Sequence, residues 1–171
     1  MKSALAWYFQ GCTAYDLGLY EEAIVALDRA ISLEPDDADN WFHKGLALQG
    51  LKKYQEAPDA YDRTVDISPD YAEAYYNKGC ILNDPDGFKE SVAAFDEAIS
   101  ADSNDSASWE GKGAALYNVK RVQEATAAFE HALTLDPESI SAWHNKAIAL
   151  RAIGRTAETQ QAEKRAKELS D

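Results

Sequence analysis

The 171-residue sequence lacks several features that would assign it to a common functional class. It has two cysteines, no Cys/His cluster with metal-ligand spacing and no Gly-rich phosphate-binding loop. Its 17 Lys and Arg stand against 30 Asp and Glu, a net charge of −13, which disfavours nucleic acid or an anionic membrane as the main partner because phosphates attract clusters of cations. An acidic balance is also a common means of remaining soluble.

Long apolar runs are missing as well. No run reaches the roughly 18 apolar residues of a membrane span. The apolar stretch before Gly11 is too short for a secretion signal, and neither end carries a lipidation motif. The sequence therefore predicts a soluble, cytoplasmic protein.

The two cysteines, Cys12 and Cys80, both occupy the ninth position of a repeating unit and lie two units apart. Stacked helices pack about 10 Å apart, so two units correspond to about 20 Å. A disulfide needs Cα atoms within about 7 Å. We therefore expect free thiols, as in a reducing compartment.

What the sequence does have is an internal repeat of 34 residues. An aromatic residue recurs in each copy, and a small residue follows it four positions later. The pairs are Trp7/Gly11, Trp41/Gly45, Tyr75/Gly79, Trp109/Gly113 and Trp143/Ala147. Five copies without an insertion, at 4–37, 38–71, 72–105, 106–139 and 140–171, indicate a solenoid rather than a closed globule. We predict one domain over residues 1–171.

Each copy contains two helical apolar patterns separated by a short polar break. Gly18 and Gly154 fit the C-terminal stop of a first helix. The segment Asn83–Gly87 is a strong turn signal in the third copy, whereas Asn118–Lys120 defines the boundary in the fourth less clearly. Pro58 would disrupt a second helix that began at Tyr54, so we predict a later start, near Gln55 or Glu56, or a slight bend.

Small and large residues alternate at fixed positions of the repeat, counted from its first residue. Positions 8, 20 and 27 are mostly small, which lets helices approach closely. Position 24 is large and fills the remaining space. The residues at position 24 are Leu27, Tyr61, Phe95 and Phe129.

These residues resemble the tetratricopeptide repeat pattern W-x-x-x-G…A…F…A…P over essentially the whole chain. The second copy shows it at Trp41, Gly45, Ala57, Tyr61 and Pro69, and the fourth at Trp109, Gly113, Ala125, Phe129, Ala132 and Pro137. The resemblance implies an all-α fold, a right-handed superhelical solenoid of antiparallel helix pairs with about ten helices. It also implies a non-catalytic scaffold for protein–protein interaction, with the first helices lining a concave groove.

The resemblance further implies that a peptide or partner helix binds at repeat positions 2, 5, 6, 9, 12 and 13. Aromatic residues at these positions are good anchors for a ligand, but each can instead pack only on a neighbouring helix. Both interpretations are open for each residue. The candidate groove residues are Tyr8, Phe9, Cys12, Tyr15, Phe42, His43, Leu46, Tyr76, Asn77 and Tyr117.

One binding mode of the family is not expected here. Members that hold the acidic C-terminus of heat-shock chaperones use a two-carboxylate clamp of Lys and Asn residues, and no window of three repeats has the required cations. Position 7 carries Lys where the family usually has Leu. Either the aliphatic stem of each Lys covers apolar surface, or these lysines form a basic ladder that meets an acidic ligand or neutralises neighbouring carboxylates. The ladder consists of Lys44, Lys78, Lys112 and Lys146.

The two ends of the chain differ. In the last copy Thr159, Glu163 and Lys167 replace apolar or small residues, which predicts a polar capping helix. The first helix is very apolar over Ala4–Phe9, so a partner or a second copy is expected to cover it. The alternative function is thus a self-assembling structural protein that oligomerises through exposed repeat ends, including a homodimer through the N-terminal helix.

Catalysis has little support in the sequence. His43, His131 and His144 are isolated from any triad-like set. Cys12 lies one helix away from His43 in the expected groove, and a Cys/His pair there is the weakest of three functional hypotheses. We expect no enzymatic activity, no metal and no cofactor.

Overall fold

The computed structural model describes residues 2–83 and 87–170, and these residues form ten helices and no strand. The first helix of each repeat begins at the first residue of that repeat. The predicted all-α fold is confirmed, with the predicted number of helices. The helices are α1 (Ala4–Asp16), α2 (Tyr20–Leu33), α3 (Ala38–Gly50), α4 (Ala57–Ile67), α5 (Ala72–Ile81), α6 (Phe88–Ala101), α7 (Ser106–Asn118), α8 (Val122–Leu135), α9 (Ile140–Ala152) and α10 (Thr156–Ser170).

The helices fall into two compact units, Met1–Lys78 and Gly79–Asp171. In the first unit α1 packs on α2, α2 on α3 and α3 on α4, and α1 also touches α3. In the second unit the same succession runs from α6 to α10, and α7 also touches α9. Each unit is thus a stack of helix pairs in which neighbours along the chain are neighbours in space. The prediction of one domain over 1–171 stays a prediction.

Side-chain caps fix the starts of four first helices. Ser3, Asp37, Asp105 and Ser139 each precede such a helix and accept a hydrogen bond from a backbone N–H two or three residues later. These bonds satisfy donors that have no partner within the helix. The starts of these four helices therefore follow from one polar residue directly before each helix.

A left-handed residue ends the first helix in four repeats. Gly18 and Gly154 both have φ of +74°, which confirms the predicted stops. At the same repeat position Lys52 and Lys120 adopt φ of 59° and 66°. The next backbone N–H bonds back to the carbonyl five residues earlier, for example from Lys53 to Leu48 at 2.9 Å. The turn predicted at Asn83–Gly87 includes residues 84–86, which lie outside the described residues.

The predicted late start of the second helix in repeat two is confirmed. Helix α4 begins at Ala57, three residues later in its repeat than α2, α6, α8 and α10. Pro58 therefore lies in its first turn, where the missing N–H costs nothing. The backbone N–H groups of Glu56 and Ala57 both donate to the Lys53 carbonyl, in a tight turn that precedes the helix.

Glycine at repeat position 8 is required by a large side chain at position 24, which is Leu27 in the first repeat and a ring in the next three. A Cβ at Gly45 would lie 2.6 Å from the Tyr61 ring, and one at Gly113 would lie 2.5 Å from Phe129. Both rings are almost fully buried and have no free space into which to move. Position 24 carries no ring in the last repeat, where position 8 is Ala147.

Helix α10 has the polar outer surface predicted for a capping helix. Thr159 and Ala162 are its buried residues, and Ala162 packs in a cluster with Ala147 and Leu150 of α9. Glu163 and Lys167, which replace the usual apolar residues, are exposed. The outer side of this helix is therefore a surface that water can cover.

Lys52 offers a test of the left-handed helix stop. Lys52→Gly should raise the free energy of unfolding by about 1 kcal/mol, because a side chain at positive φ is strained. Lys53→Gly is the matched control: it makes the same kind of substitution at the next residue, whose φ is not positive. The control should lower stability, since glycine adds entropy to the unfolded chain. Urea denaturation of both variants measures the difference, and a loss of stability for Lys52→Gly would contradict the assigned backbone geometry.

Candidate functional site

The Lys ladder joins each repeat to the one before it. Each Lys at position 7 forms an ion pair with the carboxylate at position 25 of the preceding repeat, and these Lys side chains are between 16% and 28% exposed. The four cations are thereby paired within the chain and neutralise neighbouring carboxylates. The pairs are Lys44–Asp28 at 2.7 Å, Lys78–Asp62, Lys112–Asp96 at 2.6 Å and Lys146–Glu130 at 3.2 Å.

The Trp at position 4 holds the turn between repeats. The indole N–H of Trp41 donates to the Pro35 carbonyl at 2.9 Å, and that of Trp143 donates to Pro137 at 2.9 Å. Trp109 makes the same bond at 3.1 Å to Ser103, which replaces the usual Pro. The ladder Lys of the same helix also lies over each of these three rings, at 5.2 to 5.4 Å from the centroid. Trp and Lys together form a seam at each of these junctions.

Aromatic side chains from α1, from α3 and from the turn between α4 and α5 meet in the first unit. The Tyr8 ring lies 5.1 Å from His43 in an edge-on arrangement, and His43 lies 5.5 Å from Phe42. Phe42 in turn lies 4.8 Å from Tyr71. Such edge-on and tilted pairs are favourable ring geometries. The structure therefore brings residues of two first helices into one aromatic cluster.

Asp39 connects this cluster by hydrogen bonds. The Tyr71 hydroxyl donates to Asp39 Oδ1 at 2.9 Å, across 32 positions in sequence. The Asp39 backbone carbonyl lies 2.9 Å from His43 Nδ1. These bonds hold two polar aromatic side chains beside an exposed carboxylate.

The candidate groove residues differ in the surface that they offer to a ligand. Phe42 is only 6% exposed and packs between Tyr61 and Tyr71, so it belongs to the core. Phe9 is 59% exposed and lies beside Tyr8. The remaining candidates are half-buried: Tyr8, Cys12, Tyr15, His43, Leu46, Tyr76 and Asn77 in the first unit and Tyr117 in the second.

Tyr71 is a member of this cluster that the sequence analysis missed. It stands at repeat position 34, where the equivalent residues Asp37, Asp105 and Ser139 cap the next helix. An aromatic residue in place of a capping residue is the signal that could have revealed it. We define the aromatic face as Tyr8, Phe9, His43 and Tyr71 together with Tyr76, which holds repeat position 5 in α5 as Tyr8 does in α1.

Burial and nearby carboxylates raise the pKa of two hydroxyls of this face, those of Tyr8 and Tyr71. The pKa of Tyr8 is raised well above its usual value by burial, then by a hydrogen bond with Cys12 and by the charges of Asp39 and Asp37. The pKa of Tyr71 is raised as strongly, by burial, by its bond to Asp39 and by the charges of Asp39 and Glu73. The aromatic face thus carries neutral hydroxyls in a negative potential.

Cys12 has the environment of an unreactive thiol. Burial is the main cause that raises the pKa of Cys12, and it outweighs a hydrogen bond with Tyr8 that lowers the pKa. A thiol with a raised pKa is a poor nucleophile at neutral pH. Cys12 and Cys80 are both thiols, as expected.

The corresponding face of the second unit is polar. The Glu110 carboxylate accepts hydrogen bonds from Asn145 Nδ2 at 3.0 Å and from Ser141 Oγ at 3.0 Å, and Ser139 adds a third at 3.3 Å. Tyr117 lies farther along α7, with the Lys120 ammonium 6.0 Å from its ring centroid. Position 5 of α7 is therefore occupied by a carboxylate whose oxygens bind within the protein.

Neither a metal site nor a membrane-spanning helix is found in residues 2–83 and 87–170. These residues contain no group of three or more His, Cys, Asp or Glu side chains that is arranged to hold a metal ion. The same residues contain no helix with the length and apolar character that a membrane crossing needs.

Comparison with models of protein families shows which family this chain belongs to. A tetratricopeptide repeat model matches residues 8–72 and 86–140, and a second tetratricopeptide repeat model matches residues 128–161. The chain belongs to the tetratricopeptide repeat family. Its predicted role as a repeat protein for protein–protein interaction agrees with this membership. No curated protein gives a significant match.

Solved structures with the same fold include other tetratricopeptide repeat proteins. A MamA double mutant from RS-1 superposes with a TM-score of 0.91 at 22% identity, over 98% of this chain and 94% of that one. A MamA fragment from Desulfovibrio magneticus RS-1 gives a TM-score of 0.84 at 22% identity, over 98% and 93%. YrrB, described as a TPR protein with an unusual peptide-binding site, gives 0.84 at 18% identity, over 98% and 86%. At these identities the likeness concerns the fold alone.

The raised pKa of Cys12 has a measurable consequence. In a Cys80→Ser background, alkylation of Cys12 should reach half its maximal rate at a pH above that of a free cysteine, because burial disfavours the thiolate. A pH profile of iodoacetamide labelling, with a short cysteine peptide as control, measures it. A midpoint at or below the control would contradict the assignment and restore Cys12 as a candidate nucleophile.

Proposed function

We propose that this chain is a non-catalytic interaction scaffold that binds a peptide or a partner helix on its aromatic face. The observation that carries the proposal is the contact between Tyr8 of α1 and His43 of α3, with both rings half-buried. Half-buried rings keep fixed positions while leaving apolar surface for a ligand. Tyr and Phe side chains of this kind provide much of the binding energy at protein interfaces.

Several further features support this function. The seam residues at positions 4 and 7 make contacts within the protein, whereas positions 5 and 6 keep exposed surface at Tyr8, Phe9 and His43. The ladder cations pair with internal carboxylates, which agrees with a ligand other than an acidic chaperone tail. YrrB, which has the same fold, is described as having a peptide-binding site.

We also propose that residues 1–171 act as one domain in the cytoplasm. The 34-residue spacing continues without interruption through Tyr75 and Gly79, where the chain passes from the first unit to the second. Cys12 and Cys80 are both in the thiol form, as a reducing compartment would keep them. The weak Cys12/His43 enzyme hypothesis loses support, since Cys12 is partnered by Tyr8.

The aromatic face can be tested by substitution. The double variant Tyr8→Ala/Tyr76→Ala should lower partner affinity at least tenfold, because it removes two ring anchors. Tyr54→Ala is the matched control, since Tyr54 is a 48% exposed aromatic of the same unit that lies in the turn before α4. Affinity purification from native extract with quantitative mass spectrometry compares the three proteins, and circular dichroism checks folding. Equal recovery of the same partners by the double variant and the control would refute the assignment.

Self-association is the second candidate, and a specific observation favours it. Repeat position 10 is completely buried in Ala47, Ala115 and Ala149, where the helix packs against the preceding repeat. The equivalent Thr13 of α1 is exposed, as is Ala6 at position 3. Large apolar side chains lie on or beside this surface, which we call the N-terminal end face. They are Leu5 and Phe9, each 59% exposed, and Leu17, 69% exposed.

A second copy that pairs through its own N-terminal end face would cover this surface symmetrically. Stacking end to end on α10 is less favourable, because Glu163, Lys164 and Lys167 would have to be desolvated there. The two ends therefore differ in their capacity to self-associate.

Two charges at the centre of the N-terminal end face should abolish a homodimer. In Ala6→Glu/Thr13→Glu each copy presents like charges to the other, and neither residue belongs to the aromatic face. Val25→Glu, at an exposed site on α2, is the control. Light scattering coupled to size exclusion should give a dimer for the parent and the control and a monomer for the double variant. A parent mass that stays monomeric over a wide concentration range would exclude this candidate.

A further inference from the structure

The charges around the aromatic face are of one sign. Asp39 accepts the Tyr71 hydrogen bond, and Asp37 accepts one from the Asp39 backbone N–H at 3.0 Å. Asp39 and Glu73 both act electrostatically on the Tyr71 hydroxyl. Asp39 and Glu73 are exposed, so their carboxylates are accessible to a ligand.

Most of the described cations of the first unit are engaged in other contacts. No Lys or Arg among its described residues forms an ion pair with Asp37, Asp39 or Glu73. Lys44 and Lys78 pair with carboxylates of α2 and α4, and Lys53 pairs with Glu56. Arg63 pairs with Asp66, and Lys2 lies over the Trp7 ring. Lys52 lies in the turn after α3, and Arg29 is exposed on α2.

These carboxylates are not a requirement of the repeat fold. Asp39 and Glu73 both occupy repeat position 2, in the first turn of α3 and α5, where a negative charge favours the helix. The same position holds Ala107 in α7 and Ser141 in α9, and both of those helices form without a first-turn carboxylate. A carboxylate at this position therefore distinguishes α3 and α5 from α7 and α9 and is not needed for the helix to form.

We propose that the occupant of the aromatic face is a positively charged peptide segment, with Arg or Lys residues next to an aromatic or aliphatic anchor. This inference rests on the proposed function and specifies its ligand. A guanidinium or ammonium group would pair with Asp39 and Glu73 and lie against the faces of the tyrosine rings. The neutral hydroxyls of Tyr8 and Tyr71 add hydrogen-bonding groups, and Phe9 supplies exposed apolar surface for the anchor.

A random dodecapeptide display library, selected on the full chain, tests the inference without knowledge of the natural partner. Each enriched peptide is then synthesised with a fluorophore and titrated by anisotropy against the parent and three double variants. Tyr8→Ala/Tyr76→Ala removes the rings. Asp39→Asn/Glu73→Gln removes two charges from the face, while the amide oxygen introduced at position 39 would still accept the Tyr71 bond. Glu21→Gln/Glu22→Gln removes two charges from α2.

The expected peptides carry a net positive charge and an apolar residue. Their affinity should fall about tenfold or more in Asp39→Asn/Glu73→Gln and less than twofold in Glu21→Gln/Glu22→Gln, although both variants change the net charge equally. Affinity should also fall as salt is raised. The Tyr8→Ala/Tyr76→Ala variant should abolish binding.

The possible failures are distinguishable. Enriched peptides that are neutral or acidic, yet need Tyr8 and Tyr76, would overturn the charged ligand and leave the proposed function standing. Equal losses in the two charge variants would also overturn it, by showing diffuse attraction to an acidic protein. If no enriched peptide depends on Tyr8 and Tyr76, the proposed binding face fails, and the inference fails with it.

Discussion

The close approach of a helix backbone to a large buried side chain is the constraint on which the first four repeats depend. Gly45 and Gly113 lie against Tyr61 and Phe129 at distances that leave no space for a Cβ. The ring fills the volume between the two helices of a pair, so the pair behaves as one packed block. The last repeat, with Ala147, departs from this arrangement, and there position 24 has no ring.

The junctions between blocks use different chemistry from their interiors. An indole N–H holds the connecting turn, and a Lys that lies over the same indole reaches back to a carboxylate of the preceding repeat, as Trp41 and Lys44 do with Pro35 and Asp28. Because positions 4, 7, 8, 24 and 25 account for stacking, positions 2, 5, 6 and 34 are left to vary. The aromatic face and its carboxylates are built from those variable positions.

Local signals allowed much of the fold to be predicted. Gly18 marked a helix stop through its backbone preference, and Pro58 marked a late helix start, since both effects act within a few residues. The pairing of Lys44 with Asp28 could not be predicted from local signals, because it depends on which faces of two helices meet. Tyr71 was missed for the same reason: its partner Asp39 is 32 positions away. Phe42 was assigned to the groove by position, yet Tyr61 and Tyr71 cover it.

The indole bonds also give the molecule built-in optical probes of its own junctions. Trp41, Trp109 and Trp143 each touch one connecting turn, so their emission depends on whether that junction is closed or open to water. Repeat stacks can open progressively from an end, because each repeat is held mainly by its neighbours. Proteins that retain one of these three indoles at a time would report the order in which the junctions separate, with no external label.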